Sequence, residues 1–231
     1  MSETSSTTSP SLWKGLFRTG AFAAFVMLAV MLAQIAIFIL WPPPATVEGF
    51  FQLFSENKLL GLLSLDLLYL LNNTLLIFIY LALWAALKPQ APSAALIALV
   101  TGLVGIAAYF ASNTCFEMLS LSSQYTSATG EVQRTALLGA GYAMLETYRG
   151  TAFDTYYVLD AVALLVFAVV MLRSSTFSKT TAIFGIIAGV LMAIPSTAGT
   201  LGLVFSLASL IPWAVFSVMA GLRFLRLAKT R

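Results

Sequence analysis

Four acidic residues fall within or at the ends of long apolar runs of this sequence: Asp66, Glu117, Asp154 and Asp160. An ionisable side chain inside a membrane span is costly unless it is paired, protonated or hydrated. Asp66 and Asp160 lie roughly seven and ten residues below the outer ends of their runs, a depth of about 10–15 Å at helical rise. A short Asp side chain cannot reach the headgroups from there, so both are expected to face the interior of a helix bundle. Amides and phenols recur beside them. Asn72 and Asn73 follow Asp66, and the seven-residue step from Asp66 to Asn73 returns to one helix face. Asn113 and Glu117 are four apart and are expected to share a face. Asp154, Tyr157 and Asp160 step by three, and Tyr156 stands four before Asp160. Converged, these helices would line one site with Asp66, Asn73, Asn113, Glu117, Tyr157 and Asp160. The chemistry expected of it is binding of a cation or small polar ligand in a cavity open to the outer side. The alternative is a network of interhelical hydrogen bonds, commonly worth about 0.6 kcal/mol each. Arg149 is the nearest base. It can pair with Glu146 three residues earlier, reach Asp154 or Glu117, or sit among the headgroups at the rim.

Other chemistries are excluded by what is absent. The chain has no His, so a Ser-His-Asp or Cys-His centre, a His-ligated haem and a His-based zinc site are ruled out. A single cysteine, Cys115, permits no intrachain disulfide or thiolate cluster, and its apolar surroundings read as packing. No phosphate-binding loop, dinucleotide fingerprint or GxSxG elbow occurs. The Met residues have no metal-binding spacing. No cofactor and no metal are expected.

The elements that position the acids follow from composition. Of 231 residues, 60% are hydrophobic and 9% charged, against about 25% charged in soluble domains, and the mean hydropathy is +0.94. The expected fold is an all-α, polytopic transmembrane bundle in a single domain over 19–227. Its six spans are expected at about 19–41, 59–87, 93–120, 150–172, 180–199 and 201–225. Each is about long enough for the ~30 Å hydrocarbon core. Residues 1–18 read as a disordered N-terminal tail and 228–231 as a basic tail. Pro42, Pro43 and Pro44 end the first span. Residues 45–58 read as a short interfacial amphipathic helix, and a second amphipathic helix is expected over about 131–149, both on the outer side. Pro195 and Pro212 are candidate kinks. Gly185 and Gly189 form a GxxxG step, which favours close packing within the bundle. Trp13 and Trp41 fall where the aromatic belts belong.

Charge sets the orientation. With the N-terminus in the cytoplasm, Lys14, Arg18, Lys88, Arg173, Lys179, Arg223, Arg226, Lys229 and Arg231 lie inside, and Lys58, Arg134 and Arg149 outside. The positive-inside rule therefore predicts both termini in the cytoplasm. The net charge of +3 concerns orientation and carries no nucleic-acid signal. Expected partners are the lipid bilayer and a small-molecule or cation ligand, with assembly into a homo-oligomer left open.

Four stretches carry a resemblance: DLLYLLNN from Asp66, NTCFEMLSLSSQY from Asn113, GTAFDTYYVLDA from Gly150 and PSTAGTLGLVFSLASLIPW from Pro195. Together they resemble a family of bacterial integral membrane proteins catalogued as a domain of unknown function, over most of the chain after Leu59. The resemblance implies six helices and a bacterial inner membrane, and it brings no substrate or catalytic residue. Three functions stay open. One is binding or transport of a small polar or cationic molecule through the outer-half acids. Another is a structural or regulatory partner contacting others through 121–149. The third is an enzyme acting on a lipid or isoprenoid with two carboxylates as acid and base. Against the last, Tyr-Asp, GxGD and DDxxD motifs are lacking.

Overall fold

The computed structural model describes residues 10–229. Among them there is no strand. A 3-10 turn, Pro10–Trp13, leads into ten α-helices: α1 Lys14–Leu40, α2 Val47–Glu56, α3 Lys58–Ser64, α4 Leu67–Leu87, α5 Pro92–Ser112, α6 Cys115–Ser127, α7 Glu131–Tyr148, α8 Thr151–Leu172, α9 Lys179–Met192 and α10 Gly199–Lys229. Five helical stretches are long and apolar enough to cross a membrane, containing α1, α4, α5, α8 and α10, and α9 is a shorter apolar helix. These helices mark a multi-pass membrane protein.

Six helices close into a ring in the order α1, α4, α5, α8, α9, α10 and back to α1. Small residues let neighbours approach closely, the usual basis of helix association without a hydrophobic driving force. Gly20 of α1 lies against Ala82 of α4, Gly102 and Gly105 of α5 against Tyr80 and Asp160, and Gly185 and Gly189 of α9 against Ala168 and Leu165 of α8. The GxxxG step thus packs inside the chain. Each neighbouring pair runs antiparallel. Phe17 near the start of α1 stacks with Phe224 near the end of α10, with centroids 6.3 Å apart. The two ends of the described chain therefore share one end of the ring.

At the other end, α2, α3, α6 and α7 form a cap with its own core of Val47, Phe50, Phe51, Phe54, Leu65, Cys115, Met118 and Leu145. Thr46 caps α2 by accepting a hydrogen bond from the Gly49 amide (3.2 Å), and Asn57 caps α3 the same way at Leu60 (3.0 Å). The helix expected over 45–58 is there. Its apolar face, however, is buried in this second core.

Several expected boundaries are corrected. The run 59–87 is broken at Leu65–Asp66, where Asp66 has a left-handed backbone (φ 62°). The run 93–120 is broken at Asn113–Thr114, since Asn113 takes an extended conformation (ψ 122°) that ends α5. Hydropathy continues across both breaks, so composition hid them. Helix α9 stops at Met192, because Pro195 cannot continue its ladder. Residues 10–18, expected within a disordered tail, are helical, and α10 reaches Lys229 within the expected basic tail. The remainder of both expected tails lies outside the described residues.

Candidate functional site

The half of the ring next to the cap holds most of the buried polar chemistry of the described residues. Asp160 sits nine residues into α8, about 14 Å along its axis, and is fully buried. Its Oδ1 accepts a hydrogen bond from the Tyr80 hydroxyl of α4 (2.6 Å). Its Oδ2 has no hydrogen-bond partner and rests against the backbone of Gly105, where an added Cβ would stand 2.8 Å away. Gly102, one turn earlier on α5, leaves room for the Tyr80 ring, since a Cβ there would lie 2.3 Å from it. The Tyr80–Asp160 pair therefore depends on two glycines of a third helix.

Beside this pair is a partly open cavity of about 60 Å³. A single water needs about 10–15 Å³ by this measure, so there is space for a small guest. Its polar lining comes from Tyr69, Asn72 and Asn73 of α4, Tyr156, Tyr157 and Asp160 of α8, and Ser206 and Ser209 of α10, with Trp213 alongside. No Lys or Arg lines it. Asn73 spends its Nδ2 on the Tyr69 carbonyl (3.0 Å) and leaves its buried Oδ1, like that of Asn72, without a partner. Tyr157 and Ser206 hydrogen-bond across the ring at 2.9 Å.

A second cavity, about 200 Å³, adjoins the first and shares Tyr69, Tyr156, Tyr157, Ser206 and Leu210 with it. Asp66 lies in its wall. Asp66 is not a mid-helix residue. It stands at the break between α3 and α4, and its Oδ2 accepts a hydrogen bond from Tyr148 at the end of α7. Its Oδ1 is buried without a partner. The same junction is tied twice more. Asn113 Nδ2 donates to the Leu65 carbonyl (3.0 Å), and Thr114 Oγ1 donates to the Met144 carbonyl (3.2 Å). Three breaks, α3–α4, α5–α6 and α7–α8, thus meet where cap joins ring. Between Asp66 and Asp160 lies an aromatic cluster. Tyr109 packs on Tyr156 (4.9 Å) and Tyr69 (6.3 Å), and Phe153 on Tyr157 (5.1 Å).

The model of the family described as Domain of unknown function (DUF4386) matches residues 15–226. The chain belongs to this family. Neither curated proteins nor solved structures yield a match. The DUF4386 match takes in the cap and all of the ring but the first residue of α1 and the last three of α10, so both cavities lie within the family's domain.

Of the expected site residues, Asn73, Tyr157 and Asp160 line the inner cavity, and Asp66 and Tyr157 the outer one. Asp66 and Asn73 do not share the face of one helix, because the left-handed turn precedes α4. Asn113 is near Asp66 but serves as the tie to Leu65. Glu117 is exposed on the first turn of α6, and the break at Asn113–Thr114 removes the shared face expected of the two. Arg149 is exposed at the end of α7 and lines neither cavity. Asp154, in the first turn of α8, accepts a hydrogen bond from Thr197 and so anchors the α9–α10 turn. Away from the ring, Tyr142 donates to Glu48 (3.1 Å), and that bond raises the phenol's pKa.

Sequence reasoning missed Tyr69, Tyr80, Tyr109, Tyr148, Ser206, Ser209 and Trp213. A signal existed. Tyrosines of membrane proteins favour the interfaces, whereas Tyr80 lies deep within an apolar run, and a buried phenol needs a partner. The paired small positions Gly102 and Gly105 on the facing helix were the second clue.

Proposed function

We propose that this chain crosses the membrane six times, with both termini cytoplasmic, and binds a small polar or cationic molecule in the outer half of the ring. The observation that carries this reading is a buried carboxylate, Asp160, beside a cavity walled by tyrosines and Trp213 and without a basic residue. A carboxylate in such a place is neutralised by a proton or by a cation. Aromatic faces around it favour an organic cation, which they attract by about 0.5–2 kcal/mol each. The unpartnered amide oxygens of Asn72 and Asn73 add acceptors for a cation's N–H groups. Nothing in this set acts as a nucleophile with an adjacent base, so binding or transport is favoured over catalysis.

The place of α9 between α8 and α10 supports the six-span reading. Its 14 residues span about 21 Å, and the non-helical residues 193–198 complete the crossing. The bacterial inner membrane is the setting that the resemblance implies. The test is native mass spectrometry of the gently extracted protein, wild type beside Asp160→Asn and Asp66→Asn. The expected result is a retained small cation in the wild type that Asp160→Asn loses. Identical spectra in all three proteins, with no bound small molecule, would favour a structural hydrogen-bond network.

A further inference from the structure

The end of the ring opposite the cap carries a third cavity, about 330 Å³ and open to the surface, between the α8–α9 turn, the first turn of α9 and the last turns of α10. Its chemistry is the reverse of the site above. Arg223 and Arg226 line it, with the hydroxyls of Ser178 and Thr181, and Met219 and Leu222 form an apolar wall. Arg223 is half-buried, and its Nε is fully buried with no hydrogen-bond partner among the described residues. Ser178 and Thr181 hydrogen-bond to each other at 2.8 Å. That bond uses one of their two hydroxyl protons and leaves one to donate. No Asp or Glu of the described residues lies at this end. A guanidinium fork with a nearby hydroxyl donor matches the oxygens of a phosphate. Leu222 is exposed on the outside of α10, so the apolar wall continues onto the surface that faces lipid.

We propose that this cavity binds a phosphate-bearing anion, with the phosphate held by Arg223 and the Ser178–Thr181 hydroxyl pair and with Arg226 adding positive charge to the wall. The apolar wall along Met219 and Leu222 suits the glycerol and acyl portion of an anionic phospholipid. Basic pockets between helices at the cytoplasmic side are a recognised way of holding such headgroups. The site is independent of the outer-half cavity and stands whether or not a cation binds there.

The test adds phosphatidylglycerol, or phosphatidylcholine in a parallel arm, to the delipidated full-length protein in detergent and counts bound lipids by native mass spectrometry. The wild type is expected to retain phosphatidylglycerol over phosphatidylcholine. Arg223→Gln is expected to lower phosphatidylglycerol occupancy at least fivefold, with Arg223→Lys between the two. Lys14→Gln, which removes a charge at the same end outside the cavity, is expected to change nothing. Adding inorganic phosphate identifies the source. Competition at low millimolar concentration assigns the site to a free phosphate, and its absence assigns the site to the lipid. If Arg223→Gln does not fold, Met219→Trp, which fills the cavity while keeping both arginines, replaces it with the same expected loss. Equal occupancy in wild type and cavity variants, or equal losses in Lys14→Gln and Arg223→Gln, would overturn the proposal.

Discussion

Asp160 and Asp66 are both buried carboxylates of the cap-side half of the ring, and they are held in different ways. Asp160 is built by helix faces. It projects from the middle of α8, takes one hydrogen bond from Tyr80 of α4, and is seated by glycines of α5. Asp66 is built by helix ends. It occupies a left-handed turn between α3 and α4 and takes its hydrogen bond from the last residue of α7. Each keeps one oxygen without a partner. The first arrangement belongs to the ring alone and is rigid wherever the ring is packed. The second exists only while cap and ring stay joined. The difference separates a carboxylate seated within the ring, the group proposed to bind, from a carboxylate at the junction, although residue type and hydropathy make the two look alike.

The largest effect expected from this comparison comes from the glycine seat. Gly102→Ala would put a methyl group into the Tyr80 ring. Overpacking of this kind costs about 1–3 kcal/mol, so the melting temperature in detergent should fall clearly. Gly139→Ala, in α7 with open space around it, should raise stability by about 0.5–1 kcal/mol through helix propensity. Equal shifts in the two variants would break the claim that the ring holds Asp160 tightly.

Next comes the partner of Asp160. Tyr80→Phe leaves a buried carboxylate oxygen without its donor, which costs about 1–3 kcal/mol, measured by thermal unfolding. Tyr148→Phe removes the corresponding donor from Asp66. It is expected to loosen the cap, read as faster hydrogen exchange in α6 and α7 with α8 unaffected. Matching exchange patterns in the two variants would merge the two carboxylates into one class.

Smaller still is the backbone effect at Asp66. Asn tolerates the left-handed conformation and Ala does not, so Asp66→Asn should be more stable than Asp66→Ala by about 1–2 kcal/mol. The reverse order in a denaturation series would argue against the observed turn. Smallest are Glu117→Gln and Arg149→Gln. Both residues are exposed and away from the cavities, so each should stay within about 0.5 kcal/mol of wild type.

The ring was legible in the sequence because apolar runs of span length have one solution in lipid. That Asp160 and Tyr157 face the interior of the ring was legible because their spacing on one unbroken helix controls which way they point. The breaks at Leu65–Asp66 and Asn113–Thr114 were not. Neither contains proline or glycine, and the apolar composition continues through them. What ends the helices there is tertiary: Asn113 donates to the Leu65 carbonyl, and Tyr148 arrives from a helix far along the chain. Once those breaks exist, Glu117 leaves the site and Asp66 changes its role. Tyr69, Tyr80, Tyr109 and Tyr148 were not legible because their partners come from other helices, at spacings that no single run of sequence displays.

The central claim is that the inner cavity takes a small cation at Asp160. Calorimetric titration of tetramethylammonium, with neutral tert-butanol as control, into wild type, Asp160→Asn and Glu117→Gln tests it most directly. The account predicts saturable binding of tetramethylammonium by the wild type and by Glu117→Gln, at least tenfold weaker in Asp160→Asn, and none of tert-butanol. No saturable binding by the wild type, or equal affinity in wild type and Asp160→Asn, would contradict it.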